Sequence, residues 1–183
     1  MKKIYTIVIF TENKIGLLNR VTSLFTQRHI NIESLTTSES EYEGIHRFTV
    51  VIEEEKERTL KIVRQIEKQV EVLKAFCFAD DEVVSSEIAL YKIKVDESTD
   101  REALQSVISQ HQAHFKEQIE DFIIIEKTGL KLETHKLFKA LQPYGIQGFV
   151  RSGRVALSKT ISTFSKHLKD LEEHSKEIIS VNQ

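Results

Sequence analysis

The sequence predicts an α+β protein of two ferredoxin-like units, each with the element order βαββαβ, followed by a C-terminal helical tail. Apolar residues switch between strand-like and helix-like spacing in that order, the order occurs twice, and the acidic run Asp80-Asp81-Glu82 separates the two occurrences. The predicted domains are residues 1–80 and 84–159, with the tail over 160–183. Because sequence identity between the halves is faint, the repeat is inferred from element order alone.

The first half opens with a strand and continues into an amphipathic helix. Residues 4–10 are apolar on both faces, as in a central strand, and apolar residues then recur at helical spacing from Leu17 to Phe25. The Ser/Thr-rich segment 32–39 and the alternating residues around Phe48 predict a hairpin. The second helix of this half carries the stripe Leu60, Val63, Ile66 and Val70, and its last strand covers 72–79.

The second half repeats this order from Ser86. Its second helix should end at Pro143-Tyr144-Gly145, because proline cannot continue a helix and glycine adopts the backbone angles that close one. The predicted strands cover 88–95, 115–120, 121–127 and 146–157. The predicted helical faces carry Leu104, Val107, Ile108 and His111 in the first helix and Leu137, Phe138 and Leu141 in the second.

The tail is predicted to be an amphipathic helix. Its apolar residues recur mostly three or four positions apart, at Ile161, Phe164, Leu168, Leu171 and Ile178. Such a stripe must cover another apolar surface. The tail therefore either packs on the C-terminal domain of its own chain or binds a partner.

Composition narrows the class of protein and its location. With 183 residues, 40% hydrophobic and 30% charged, the chain is typical of a soluble globular protein, and its net charge of -2 lacks the basic excess of most nucleic-acid binders. No apolar run approaches the roughly 20 residues that span a bilayer, and the N-terminus does not resemble a signal peptide. We expect a cytoplasmic protein, or one delivered to an organelle by a presequence since removed.

Motifs of catalysis and metal binding are missing from the sequence. It contains no GxGxxG, GxxxxGK[ST], CxxC, HExxH or GxSxG pattern. His111 and His114 lack a further ligand at suitable spacing, so no metal site is predicted. The single cysteine, Cys77, lies in an apolar run and is expected to be a buried thiol. An independent enzyme is therefore disfavoured.

The turn between the first strand and the first helix suits a small anionic ligand. Asn13 favours turn conformations, and Gly16 leaves the backbone accessible next to the helix. The N–H groups at the start of the helix would point outward and attract a carboxylate. Ile15, Leu17 and Leu18 would offer apolar contacts to a short side chain.

The stretch TENKIGLLNRVTSLFTQRHINIESLT resembles the opening of the small, regulatory subunits of acetolactate synthase (acetohydroxyacid synthase). The family pattern is close to E-N-x-P-G-x-L-x-R-V-x-x-L-F-x-x-R-G-x-N-I-E-S-L, and this chain departs from it at Ile15, where the family has proline, and at His29, where it has glycine. EIALYKIKV at 87–95 and VRSGRVALSK at 150–159 resemble later parts of the same family. The resemblance thus spans the chain to about Lys159, and the tail lies beyond it. The positions in register are Glu12, Asn13, Gly16, Leu18, Arg20, Val21, Leu24, Phe25, Arg28, Asn31, Ile32, Glu33, Ser34 and Leu35.

This resemblance implies that the first half is an ACT domain that pairs with a second copy and binds a branched-chain amino acid at the interface. Asn13 and Gly16 would receive the amino acid's carboxylate and amine, and Asn31 would reach the ligand from the neighbouring subunit. Ile15 and His29 could alter or abolish feedback by valine. The candidate ligand-binding residues are Asn13, Ile15, Gly16, Leu17, Leu18, Asn31 and Ile32.

The function implied is that of a non-catalytic subunit of acetolactate synthase in branched-chain amino acid biosynthesis. The chain would form a homodimer, activate the catalytic large subunit and confer inhibition by valine or a related amino acid. Thiamine diphosphate (ThDP), Mg²⁺ and FAD would belong to the catalytic subunit, with no cofactor on this chain. The contact surface and stoichiometry are not predicted.

Two other functions fit the same element order. A free-standing ACT-domain sensor would bind an amino acid without an enzyme partner, but the resemblance continues past residue 84. An RNA-binding protein of the RRM class should expose stacking aromatics on its central strands. Val8, Phe48 and Val50 lie on those strands instead, with Phe48 on the apolar stripe.

Overall fold

The fold was analysed in a computed structural model, which describes residues 1–160 and 164–169. The described residues form two compact units, one comprising 1–84 together with the segment from Ala156, the other comprising 85–155. Each unit consists of one β-sheet and two α-helices, so the predicted fold class is confirmed. The predicted domain boundaries stay predictions, although the segment from Ala156 groups with the first unit here.

The first unit is a four-stranded antiparallel sheet with two helices. The strand order is β2-β3-β1-β4, so β2 and β4 are its edges. The elements are β1 (Lys3–Glu12), α1 (Leu17–Thr26), β2 (Ser34–Glu39), β3 (Ile45–Glu54), α2 (Lys56–Ile66) and β4 (Val72–Ala79).

Alternate residues of this sheet face two different apolar layers. Ile7 and Ile9 of β1 join the core with α1 and α2, whereas Val8 and Phe10 face the other side. Because side chains alternate along a strand, the run of apolar residues in β1 supplies both layers. We call the second layer the outer face; it consists of Val8, Phe10, Phe76 and Phe78.

The second unit repeats the same order of elements. Its elements are β5 (Val83–Lys94), α3 (Arg101–Gln110), β6 (His114–Ile119), β7 (Phe122–Gly129), α4 (Lys131–Leu141) and β8 (Ile146–Arg151). Its strands are arranged β6-β7-β5-β8. Its core joins both helices to the sheet, and the buried Tyr91 hydroxyl donates a 2.6 Å hydrogen bond to the Thr134 carbonyl at the start of α4. A last strand, β9 (Val155–Ser158), lies except for Val155 in the segment that groups with the first unit.

The first helices of the two units end in the same turn. After α1, the N–H of His29 bonds to Thr26 and that of Ile30 bonds to Phe25, and His29 has a φ of 53°. After α3, Gln112 and Ala113 form the equivalent bonds, and Gln112 has a φ of 50°. These are Schellman turns, in which a residue with positive φ closes the helix. The repeat inferred from element order therefore extends to backbone detail.

Some sequence predictions of local structure are wrong. Leu60 and Val70 are exposed, because α2 ends at Ile66 and packs through Thr59, Ile62, Val63 and Ile66. The predicted last strand, 146–157, is two strands separated by 152–154. In the described part of the tail, residues 164–169, Phe164 packs on the first unit and not on the C-terminal domain as predicted. The tail predictions for Ile161, Leu171 and Ile178 lie outside the described residues.

Candidate functional site

The candidate site is the turn that joins β1 to α1. The Asn13 N–H bonds to the Gly44 carbonyl at 3.3 Å, and the Lys14 N–H bonds to the Glu12 carbonyl at 3.1 Å. Gly16 then precedes the helix with a φ of 82°, a conformation that favours glycine, and no atom lies within 4 Å of the position a Cβ would take. The glycine is needed for its backbone angle, because the space around it is open.

The first helix begins without a side-chain cap. Gly16 has no side chain to accept from the helix, and the N–H groups of Leu18 and Asn19 have no hydrogen-bond partner among the residues that the structure describes. In the second unit, by contrast, the Asp100 carboxylate caps α3 and accepts from the Ala103 N–H at 2.9 Å. The first unit therefore leaves open the position that an internal carboxylate fills in the second.

The predicted apolar contacts divide into two groups. Ile15 is fully exposed and Leu18 is 38% exposed, so both can contact a ligand at the turn. Leu17 is only 1% exposed and packs in the core of the first unit. Leu17 thus anchors the start of α1 to the core, and its side chain is not available to a ligand at the surface.

Asn31 and Ile32 lie at the opposite end of the helix from Asn13 and Gly16. The helix between them has 10 residues, a length of about 15 Å at 1.5 Å per residue. Asn31 is exposed and its amide donates to the Glu33 carboxylate at 2.8 Å, while Ile32 packs against the core. A single chain therefore brings Asn13, Ile15, Gly16 and Leu18 together but keeps Asn31 apart from them.

Charged groups near the turn are already paired. Arg20 donates to the Glu71 carboxylate at 2.6 Å, and this hydrogen bond holds the pKa of Glu71 below its ordinary value. Lys14 lies 3.5 Å from Glu12. Because Arg20 is engaged, the backbone N–H groups are the donors most available to an anion at this turn.

Sequence reasoning missed the aromatic cluster on the outer face. Phe164 stacks on Phe10 with ring centroids 4.3 Å apart, and Tyr42 meets Phe164 edge to face at 5.4 Å. Arg47 lies over the Phe10 ring and donates to the Ala156 carbonyl. The apolar residues on both faces of β1 signalled this second layer, but the sequence did not indicate that Phe164 covers it.

The described residues contain neither a helix that could span a membrane nor a cluster of metal ligands. In this part of the chain, no helix combines the length and apolar character required to cross a membrane. No group of three or more His, Cys, Asp or Glu side chains in 1–160 and 164–169 is arranged to hold a metal ion.

Comparison with known proteins identifies the first unit as an ACT domain. The family model of the AHAS small subunit-like ACT domain matches residues 7–74, and that of the small subunit of acetolactate synthase matches 86–160. The described helical residues 164–169 thus lie beyond both matches.

Whole-chain relatives carry the same description. The acetolactate synthase small subunit of Bacillus subtilis is 35% identical over 160 residues, which cover 87% of this chain and 91% of the relative. That of Mycolicibacterium smegmatis is 32% identical over 155 residues, or 85% and 91% of the two chains. The crystal structure of the small subunit from Thermotoga maritima matches with a TM-score of 0.78 at 26% identity, covering 86% of this chain and 98% of that one. The chain belongs to the family of acetolactate synthase small subunits.

Proposed function

We propose that this chain is a non-catalytic regulatory subunit that activates a ThDP-dependent acetolactate synthase and makes it sensitive to valine or a related branched-chain amino acid. Family membership implies a catalytic partner subunit. The ThDP, Mg²⁺ and FAD of the reaction reside on that partner in this proposal, and the present chain supplies the effector site.

The uncapped start of α1 is the observation that carries the effector proposal. The free N–H groups of Leu18 and Asn19 and the open backbone at Gly16 suit a carboxylate. The exposed side chains of Ile15 and Leu18 suit a short aliphatic side chain. An α-amino acid with a branched alkyl chain satisfies both requirements at once.

The effector site is completed by a second copy of the chain. Asn31 lies about a helix length of 15 Å from Gly16, too far to contact the same small ligand in one chain. The strand β2 begins three residues after Asn31 and is an edge strand of the four-stranded sheet, the position at which a second ACT domain would extend the sheet. In such a pair, Asn31 of one copy meets Asn13 of the other.

Inhibition requires the amino acid to bind one state of the complex better than another. A coupling of about 1 to 3 kcal/mol, the usual range for allosteric effects, would change affinity or activity roughly 5- to 150-fold. The ligand joins two ACT domains in this proposal. Binding therefore restricts their relative movement, and the catalytic subunit responds to the restricted form.

Calorimetric titration of the purified chain with valine, leucine and isoleucine tests the effector site. We expect binding of at least one amino acid to the wild type and loss of that binding in Asn13→Ala. Gln27→Ala, which removes an exposed amide beyond the other end of α1, is the matched control and should bind like the wild type. Equal binding to wild type and Asn13→Ala would contradict the placement of the site at this turn.

A further inference from the structure

The second unit contains a cavity between its first helix and its edge strand. The cavity has a volume of about 190 Å³, and its floor is made by buried aliphatic side chains of α3, of β7 and of the residue that follows β5. An engineered apolar cavity of about 150 Å³ is large enough to bind benzene. The present cavity therefore admits a molecule with a short branched alkyl chain. The floor residues are Val95, Leu104, Ile108 and Ile123.

The mouth of the cavity is polar and positively charged. Arg101 and Gln105 line it from α3, one turn apart, and Gln118 lines it from β6. Arg101 forms no ion pair with any residue that the structure describes, and its position in the first turn of α3 is exposed. A guanidinium group has the donor geometry that binds a carboxylate through two hydrogen bonds.

The polar groups at the mouth also restrict which second functional group the ligand has beside its carboxylate. No acidic side chain is among the lining residues, so this cavity has no charged partner for an ammonium group. The side chain of Gln105 is available to donate a hydrogen bond to a neutral oxygen, whereas the Gln118 amide donates to the Glu120 carbonyl at 3.3 Å. An ammonium group at the mouth would lie near the Arg101 guanidinium with no acidic partner, so an acid with a neutral oxygen fits better than an amino acid.

The proposed ligand position in this cavity differs from both the N-terminus of α3 and the candidate site of the first unit. The Asp100 carboxylate already caps α3 through Ala103, so an anion is not expected on the backbone N–H groups there. A ligand would instead be held by a side chain, Arg101, and by the aliphatic floor. The wall of β6 adds Phe115, an aromatic side chain that is 52% exposed.

We infer that the second unit binds a short branched aliphatic 2-oxo acid between α3 and β6, with its carboxylate on Arg101 and its alkyl chain on the aliphatic floor. This site is separate from the amino-acid site at the turn after β1 and does not depend on it. It gives the chain a sensor for a small acid without an ammonium group.

Titration of the full chain with 2-oxoisovalerate, followed by backbone amide chemical shifts, tests this inference. The probe has the carbon skeleton of valine without its ammonium group. We expect shifts at Phe115, Gln118 and Ile123, and no saturable shift at these positions with valine. Asn13→Ala should give the same shifts, because that residue belongs to the other site.

Three variants separate a specific site from general effects of charge. Arg101→Gln should weaken binding about tenfold or more, as loss of a charge-assisted hydrogen bond does. Gln105→Trp places a large side chain at an exposed position of the mouth and should abolish binding. Lys131→Gln is the control for charge, because Lys131 is the first residue of α4 as Arg101 is the first residue of α3. This variant should leave binding unchanged.

Several results would overturn the inference. Shifts confined to Leu18 and Asn19 would place the acid at the first-unit turn. Equal affinity of wild type and Arg101→Gln would remove the carboxylate contact. Valine binding in the cavity as tightly as 2-oxoisovalerate would contradict the class of ligand.

Discussion

His29 closes α1 in a backbone conformation that usually favours glycine. The family pattern that the opening stretch resembles has glycine at this position, and His29 has a φ of 53° in the turn after α1. This conformation costs a residue with a Cβ about 1 kcal/mol or more, whereas glycine adopts it freely. The turn thus forms at a cost in stability, and it places an exposed imidazole two residues before Asn31.

Replacement of His29 by glycine should stabilise the protein. We expect the free energy of unfolding to rise by about 1 kcal/mol, because the strain at positive φ is removed. Urea unfolding followed by circular dichroism measures the change. The control is Gln27→Gly, at a residue with a φ of -60°, which should lower stability by about 0.5 to 1 kcal/mol. Destabilisation by His29→Gly would show that the imidazole makes a stabilising contact.

Cys77 should be an unreactive thiol in the folded protein. Burial, followed by the nearby charge of Glu82, raises the pKa of Cys77 from 9.0 to about 11, so little thiolate exists at neutral pH. Alkylation by iodoacetamide at pH 8 should therefore be much slower in buffer than in denaturing urea. Equal rates in the two solvents would show that the thiol is accessible and ionises normally.

The same pKa shift predicts a loss of stability at high pH. Between pH 9 and 11 the thiol ionises in the unfolded chain but stays protonated in the folded one. The unfolded state then binds fewer protons, so the free energy of unfolding falls as pH rises through this window. Cys77→Ala should show a shallower decline over this range than the wild type. Parallel declines would contradict the shifted pKa.

At the scale of elements, α1 and α3, the first helices of the two units, differ in how their N-termini are capped. The N-terminus of α3 is closed by the Asp100 carboxylate, whereas that of α1 is left open by Gly16. Equivalent elements in a repeated fold therefore have different roles. Among the described residues, the N-terminus of α3 is capped within its own unit, and that of α1 keeps backbone N–H groups without a partner.

Asp100→Ala should destabilise the second unit without affecting amino-acid binding. Loss of an N-cap typically costs about 1 kcal/mol, and thermal or urea unfolding would report it. Glu97→Ala, at an exposed position in the same loop, should change stability by less than about 0.5 kcal/mol. A loss of valine binding in Asp100→Ala would argue that this loop, and not only the turn after β1, takes part in the amino-acid site.

The described residues from Ala156 onward, 156–160 and 164–169, pack on the outer face of the first unit. Phe164 is 1% exposed and covers Phe10 of the outer face, and the Lys159 N–H and ammonium group donate to the carbonyls of Glu82 and Asp81. Burial of the outer face thus depends on residues beyond the family match, which ends at 160. The aromatic cluster is therefore complete only when the C-terminal segment supplies Phe164.

Phe164→Ala should expose the outer face and destabilise the first unit. We expect a loss of about 3 kcal/mol, as for other buried Phe to Ala changes, measured by urea unfolding. Lys166→Ala, on the exposed side of the same helical segment, is the control and should be nearly neutral. A loss below about 1 kcal/mol would indicate that the segment contributes little to the stability of the fold.

For the whole molecule, most elements followed from the sequence because their periodicity is strong. The strand 72–79 was predicted with its observed ends, and the hairpin of β6 and β7 was placed to within two residues at each end. Predictions failed where tertiary packing decides. The rotation of α2 buries Ile62 and exposes Leu60, and the break between β8 and β9 has no periodic signal.

The candidate site was predictable in part for the same reason. Asn13 and Gly16 were identified from turn chemistry, and the structure places them at an open helix start. Leu17 was assigned to the ligand although its side chain faces the core, because spacing alone does not fix which neighbouring leucine turns inward. No linear motif in the sequence predicts the cavity beside α3, since its lining residues come from three elements and the loop after β5, which only folding brings together.

The central claim, regulation of a catalytic partner through the turn after β1, is tested most directly by mixing the two subunits. The measurement is the rate of acetolactate synthesis by the catalytic subunit alone, with the wild-type chain, and with Asn13→Ala, each with and without valine, leucine or isoleucine. We predict that the wild-type chain raises the rate and that at least one of these amino acids lowers it again, with the inhibition lost in Asn13→Ala. An unchanged rate on mixing, or equal inhibition of the complexes with wild type and Asn13→Ala, would contradict the account.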